Sequence, residues 1–68
     1  MFSGRFKMVR VVSLSYRDGK RVCAPIFVSL ERRNYDPTDI EFEEAALRFA
    51  LRDGLVRERG EVFAQVRA

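Results

Sequence analysis

Between Phe6 and Tyr16 the chain alternates. Phe6, Met8, Val12, Leu14 and Tyr16 take the even positions, interrupted only by Arg10, while Lys7, Ser13 and Ser15 share the odd ones with Val9 and Val11. Side chains that recur every second residue lie on one face of an extended chain, so this stretch predicts a β-strand with an apolar even face. Val22 to Leu30 repeats the pattern, again with its even residues apolar. Between the two runs lies YRDGKR, whose Asp18-Gly19 pair suggests a two-residue hairpin turn. Parity argues otherwise. A two-residue loop sets even positions opposite odd ones and places one strand's apolar face beside the other's polar face. A three-residue loop of Arg17, Asp18 and Gly19 pairs Tyr16 with Lys20, restores even against even, and puts Gly19 at the left-handed position of a G1 bulge. Continued along the strands, that register places Val9 opposite Phe27, Val11 opposite Pro25, Ser13 opposite Cys23 and Arg5 opposite Glu31. The odd face then has an apolar centre of Val9, Val11, Pro25 and Phe27, with Arg5, Lys7, Arg17 and Arg21 towards its ends. Proline cannot donate to a ladder, so Pro25 predicts that its strand lies at a sheet edge.

After the punctuation of RRNYDPTD the period changes. Pro37 suits a first helical turn, Thr38-x-x-Glu41 matches a capping box, and Asp39, Glu41, Glu43 and Glu44 favour the positive end of a helix dipole. Gly54 is placed to close the helix in a left-handed conformation. On a helical projection Phe42, Ala45, Ala46 and Phe49 make one apolar stripe, and Ile40, Leu47 and Leu51 make another nearly opposite. A helix covering one sheet needs a single stripe, so this one is expected to bury two sides, the second against another subunit or a partner. Beyond Gly54 the pattern predicts a short extended piece at 55–57, a turn at 58–60 and a strand. The reading is an α+β domain over residues 1–68 with order β-β-α-β. It comprises a hairpin over 5–31, a helix from about 38 to 53 and a strand from about 61 to 67. The three strands form an antiparallel-type sheet in the order 2-1-3, with room for a minor fourth strand, and the helix packs on one face.

Within the C-terminal part, ALRFALRDGLVRERGEVFAQV resembles the last helix and wing of a winged-helix DNA-binding domain: helix, Gly-Leu-Val step, Gly-centred turn. The resemblance covers about a third of the chain. A winged helix needs two further helices upstream, where this sequence alternates as strands, so that fold is not adopted.

Composition narrows the function classes. A chain of 68 residues is near the lower limit for independent folding and usually needs a disulfide, a metal or another subunit. Cys23 is the single cysteine and histidine is absent, so neither an intrachain disulfide nor a Cys/His zinc site can form. That leaves unaided folding or association. The longest uncharged run, Val22 to Leu30, is far too short to span a bilayer, and MFSGRFKM lacks the apolar core of a secretory leader. With one thiol and no targeting segment, a reducing cytoplasm is the expected location.

The candidate chemistry is sparse. Without histidine the usual base for a serine or cysteine nucleophile is missing, and Lys7, on an exposed strand face, and Lys20, at a hairpin tip, are not placed to substitute for it. The acidic run Asp36, Asp39, Glu41, Glu43 and Glu44 lacks the glycine and alternating ligands of a calcium loop and reads as a helix start. No catalytic residue, metal site or cofactor is expected. Cys23, on the odd face by parity, is either a reactive thiol, one half of an intersubunit disulfide, or, more commonly for such a residue, a small semi-buried hydrophobe. Charge is the informative feature. Residues 1–33 carry eight basic and two acidic side chains, residues 34–68 five basic and eight acidic. Two readings follow. In the first, the chain is a protein-interaction module of adaptor or inhibitor type. It is homodimeric or bound to a protein partner, and contacts it through Val9, Val11 and Phe27 with Arg5, Lys7 and Arg21 at the rim. In the alternative it is a small basic nucleic-acid-binding regulator whose hairpin residues Arg17, Lys20 and Arg21 contact phosphates.

Overall fold

A computed structural model describes residues 4–67; Met1–Ser3, and with them the start of the segment read for a leader, lie outside the described residues. Strand β1 spans Arg5–Tyr16, β2 Ile26–Arg33, helix α1 Asp39–Arg52, and β3 Val62–Arg67, preceded by a single 3-10 turn at Arg59–Glu61. The sheet order is β2-β1-β3, antiparallel at both pairings, as the alternation and the crossover argument predict. Among the described residues no strand forms at 55–57. Those residues instead follow the helix cap, with Val56 buried and its N–H, like that of Leu55, donating to the Ala50 carbonyl. The wing-like hairpin is therefore not formed either, and β3 pairs along β1.

The three-residue loop forms as parity requires. Tyr16 N–H donates to the Lys20 carbonyl at 2.7 Å, Gly19 N–H to the Tyr16 carbonyl at 2.9 Å, and Gly19 has φ +93°. A side chain at that φ is strained, which is why glycine occupies the position. The register farther along differs from the expectation. Val22 N–H still reaches Leu14, but by Ile26 the pairing has slipped by two residues: Val9 lies opposite Ser29, Val11 opposite Phe27, Lys7 opposite Glu31 and Arg5 opposite Arg33. The reason lies in the intervening segment. Val22 and the consecutive Cys23 both pack against the core, which a period-two strand cannot accomplish, so the chain bends out of the ladder and β2 begins only after Pro25. Cys23 is accordingly half-buried against the core rather than on the odd face. A slip of two preserves parity, so both faces survive it.

The helix ends follow their signals closely. Thr38 caps the N-terminus, its side chain accepting from Glu41 N–H while the Glu41 carboxylate accepts from Thr38 N–H at 2.8 Å. Pro37 is buried one position outside the cap rather than within the first turn. At the other end Gly54, φ +74°, closes a Schellman motif: Leu55 N–H donates to Ala50 and Gly54 N–H to Leu51. Asn34, φ +72°, turns the chain out of β2, a conformation asparagine tolerates better than most residues.

The two-sided helix is corrected. Phe42, Ala46, Leu47 and Ala50 are all buried, packed with Val12, Leu14, Val28, Val56 and Val62 in one core on the even side of the sheet. Ala50 lies between the two stripes and, with Ala46 of the first, joins them into one broad buried face. Of the outer flanks, Ile40 is 70% exposed, and Phe49 and Leu51 are half-buried.

One ion pair ties this layer together. Arg32 on β2 donates through Nε to Glu41 at 2.6 Å, and Tyr35 donates to the same oxygen at 3.2 Å. The Thr38 backbone N–H, and after it Arg32, lower the Glu41 carboxyl from 4.5 to about 2, and Glu41 in turn raises the Arg32 guanidinium. Because the folded carboxyl titrates below the unfolded one, its stabilisation is complete above pH 4.5 and disappears as pH falls towards 2. Melts across that window are expected to show the native chain losing stability more steeply than Glu41→Gln, with the gap between them closing at the acid end. Parallel curves would remove Glu41 as the responsible group.

Candidate partner-docking face

The helix covers only the even face of the sheet. The odd side chains of all three strands point to the other side, which no described element covers. The predicted centre is there. Val11 and Phe27 are opposed across β1 and β2, at a non-hydrogen-bonded pair where side chains approach most closely, and Val9 is diagonal to Phe27. Phe27 is 75% exposed and Val9 53%. Pro25 is exposed but precedes β2 and has no ladder partner in it.

Of the rim residues, Arg5 is paired with Glu31 at 3.1 Å, Lys7 lies opposite Glu31, and Arg21 bridges to Ser15 at the far end of β1. Arg17 and Lys20 are in the hairpin loop, where Lys20 N–H donates to the Asp18 side chain. The cations therefore form two groups, Arg5 and Lys7 at one end and Arg17, Lys20 and Arg21 at the other, about 30 Å apart at strand rise.

The sequence reading missed Phe63. It stands on β3 opposite Ser15, 54% exposed, with the Arg17 guanidinium 4.9 Å from its ring centroid and Arg17 Nε donating to the Gly60 carbonyl at 2.8 Å. Arg17 is thus held over the face of an aromatic ring, a contact that suits guanidinium. The signal for Phe63 was available. Val62, Ala64 and Val66 alternate inward, so the same parity that ordered the hairpin turns Phe63 outward. Arg33 and Arg67 join this face too, Arg67 donating to the Ser13 hydroxyl at 3.3 Å. Among the described residues, Arg5, Lys7, Arg17, Arg21, Arg33 and Arg67 lie on it, and Glu31 is the one carboxylate carried by the strands there.

The acidic run at the helix start is engaged elsewhere. Glu41 completes the cap, Glu43 accepts from Val66 N–H at 3.4 Å on the outer edge of β3, and Glu44 pairs with Arg59. Among the described residues, no group of three or more acidic or cysteine side chains is arranged to hold a metal, and no helix is long and apolar enough to cross a membrane. Comparison of the chain with protein-family models, with curated proteins and with solved structures gave no significant match.

Proposed function

We propose that this chain is a non-enzymatic protein-binding module that uses the open face of its sheet as the contact surface. The observation that carries the reading is Phe27, three-quarters exposed beside Val11 and Val9 on a sheet face that no described element covers. Exposed aromatics in an apolar centre with an arginine rim match the composition of interface hot spots. The charge on the face favours a partner of opposite sign over a second copy, because packing this face on itself sets six cations against six.

The alternative, a nucleic-acid-binding regulator, draws support from the same excess of cations together with Phe63 and Phe27 as stacking surfaces. It is the weaker reading, since Arg17 is already engaged with Phe63 and Gly60, Arg5 with Glu31 and Arg67 with Ser13. Phe27→Asp distinguishes the two. The side chain points to solvent, so the variant should fold with an unchanged amide spectrum. Protein partner binding is expected to weaken by about 2 kcal/mol, roughly thirty-fold. Unchanged association by the folded variant would end the proposal. Affinity for single-stranded nucleic acid that falls steeply with salt would favour the alternative.

A further inference from the structure

We infer that Arg5, Lys7 and Arg33 form a receptor for a doubly charged phosphate monoester, presented by a phosphorylated side chain of the protein partner. The inference rests on the protein-binding reading above and names the modification that the partner carries.

The observation that carries it is a like-charge pair. Arg5 and Arg33 are direct partners across β1 and β2, the one position in the described ladders where two charges of the same sign stand opposite each other. The backbone shows how close they are. Asn34 N–H donates to the Gly4 carbonyl at 3.0 Å and Val22 N–H to the Leu14 carbonyl, so the even residues of β1 turn their polar groups to β2. Arg5 and Arg33 therefore make a non-hydrogen-bonded pair, with Cα atoms about 4.5 Å apart and side chains at their closest approach. Like charges at such a pair destabilise it. Two residues along, Lys7 faces Glu31, so the same ladder does pair opposite signs elsewhere.

Charge at this end is not balanced among the described residues. Glu31 accepts from Arg5 Nη1 at 3.1 Å and lies opposite Lys7, so one carboxylate serves three cations. Lys7 and Arg33 make no ion pair there, and Arg32, on the helix side, is neutralised by Glu41. Two positive charges are left over, beside a shallow depression of about 240 Å³ lined by Arg5, Glu31, Arg32 and Arg33. These features select the ligand. A phosphate monoester carries nearly two negative charges at neutral pH and three acceptor oxygens, which matches the charge left over. Guanidinium forks on adjacent strands can bracket it, since Glu31 uses only Nη1 of Arg5. A carboxylate brings one charge, and a phosphodiester one per phosphate, so an acidic peptide or a nucleic-acid backbone fits this site less well. Lys7 adjoins Val9 on the same face. A partner segment with its phosphate at Arg5 and Arg33 can thus continue over Val9 and Phe27, which favours a phosphorylated protein over a lipid headgroup.

The test is an amide-resolved NMR titration with the capped pentapeptide Ser-Gly-Val-Leu-Phe, phosphorylated on its serine, beside the same peptide without phosphate. Saturable shifts at Arg5, Lys7 and Arg33 are expected with the phosphopeptide alone, and Arg33→Gln should bind it about ten-fold more weakly. Arg33→Glu probes the repulsion itself. At low salt and without ligand it should raise the thermal midpoint by about 1–5 °C, and it should abolish the phosphate-dependent shifts. No saturable shift at those three residues, equal affinity for the unphosphorylated peptide, or a midpoint that fails to rise overturns the inference. Shifts confined to Val9, Val11 and Phe27 and indifferent to phosphate remove this site and leave the protein-binding reading standing. Tighter binding at the same three residues by vesicles containing phosphatidic acid, or by a short oligothymidylate, also overturns the inference, and the oligothymidylate result removes the protein-binding reading with it.

Discussion

Phe42→Ala should leave the domain at or below the threshold of folding at 37 °C. Phe42 is completely buried beneath the sheet, at the junction of α1 with Val12, Leu14 and Val28. Truncating a buried phenylalanine costs about 3–5 kcal/mol through lost transfer energy and the cavity left behind. A chain of this length has only about 3–10 kcal/mol of net stability to lose. At about 4–8 °C per kcal/mol for a domain of this size, the midpoint falls by about 12–40 °C. A thermal melt followed by circular dichroism reads it directly. A midpoint within a few degrees of the native one would mean that the helix does not rest on the sheet as described.

Ala50→Leu tests the same contact from the opposite direction. Ala50 and Ala46 are fully buried in the middle of the inward helix face, and their small side chains let α1 approach β1. A larger residue there has high helix propensity and would suit a helix that buried two separate sides, since it would then point between them. On the single broad face it overpacks the core and is expected to cost about 3 kcal/mol. The expected outcome is a lower denaturant midpoint with an unchanged slope. Arg48→Leu, on the exposed side of the same helix, serves as control and should stay within about 0.5 kcal/mol of the native chain. Equal effects at the two positions would restore the two-sided helix.

These two positions also mark where reading the sequence succeeded and where it stopped. Local rules were legible because their determinants are close in the chain. Gly19 and parity specified the loop, Thr38 and Glu41 the helix start, and Gly54 its end. The sheet order followed from connection rules and alternation. For the candidate site, parity alone placed Val9, Val11 and Phe27 on one face, a result that withstood the wrong register because the slip was even.

The sequence by itself thus determined the three strands and the helix, the hairpin loop and the helix ends, the order of the strands and which side chains share a face. Each depends on neighbours within a few residues or on a period that persists along a strand. Tertiary structure decided the rest. The pull of the core on both Val22 and Cys23 moved the hairpin register by two. The approach of helix to sheet over Ala46 and Ala50 merged two stripes into one. Those outcomes depend on distances between segments far apart in the chain, where packing rather than periodicity determines which arrangement has the lower free energy.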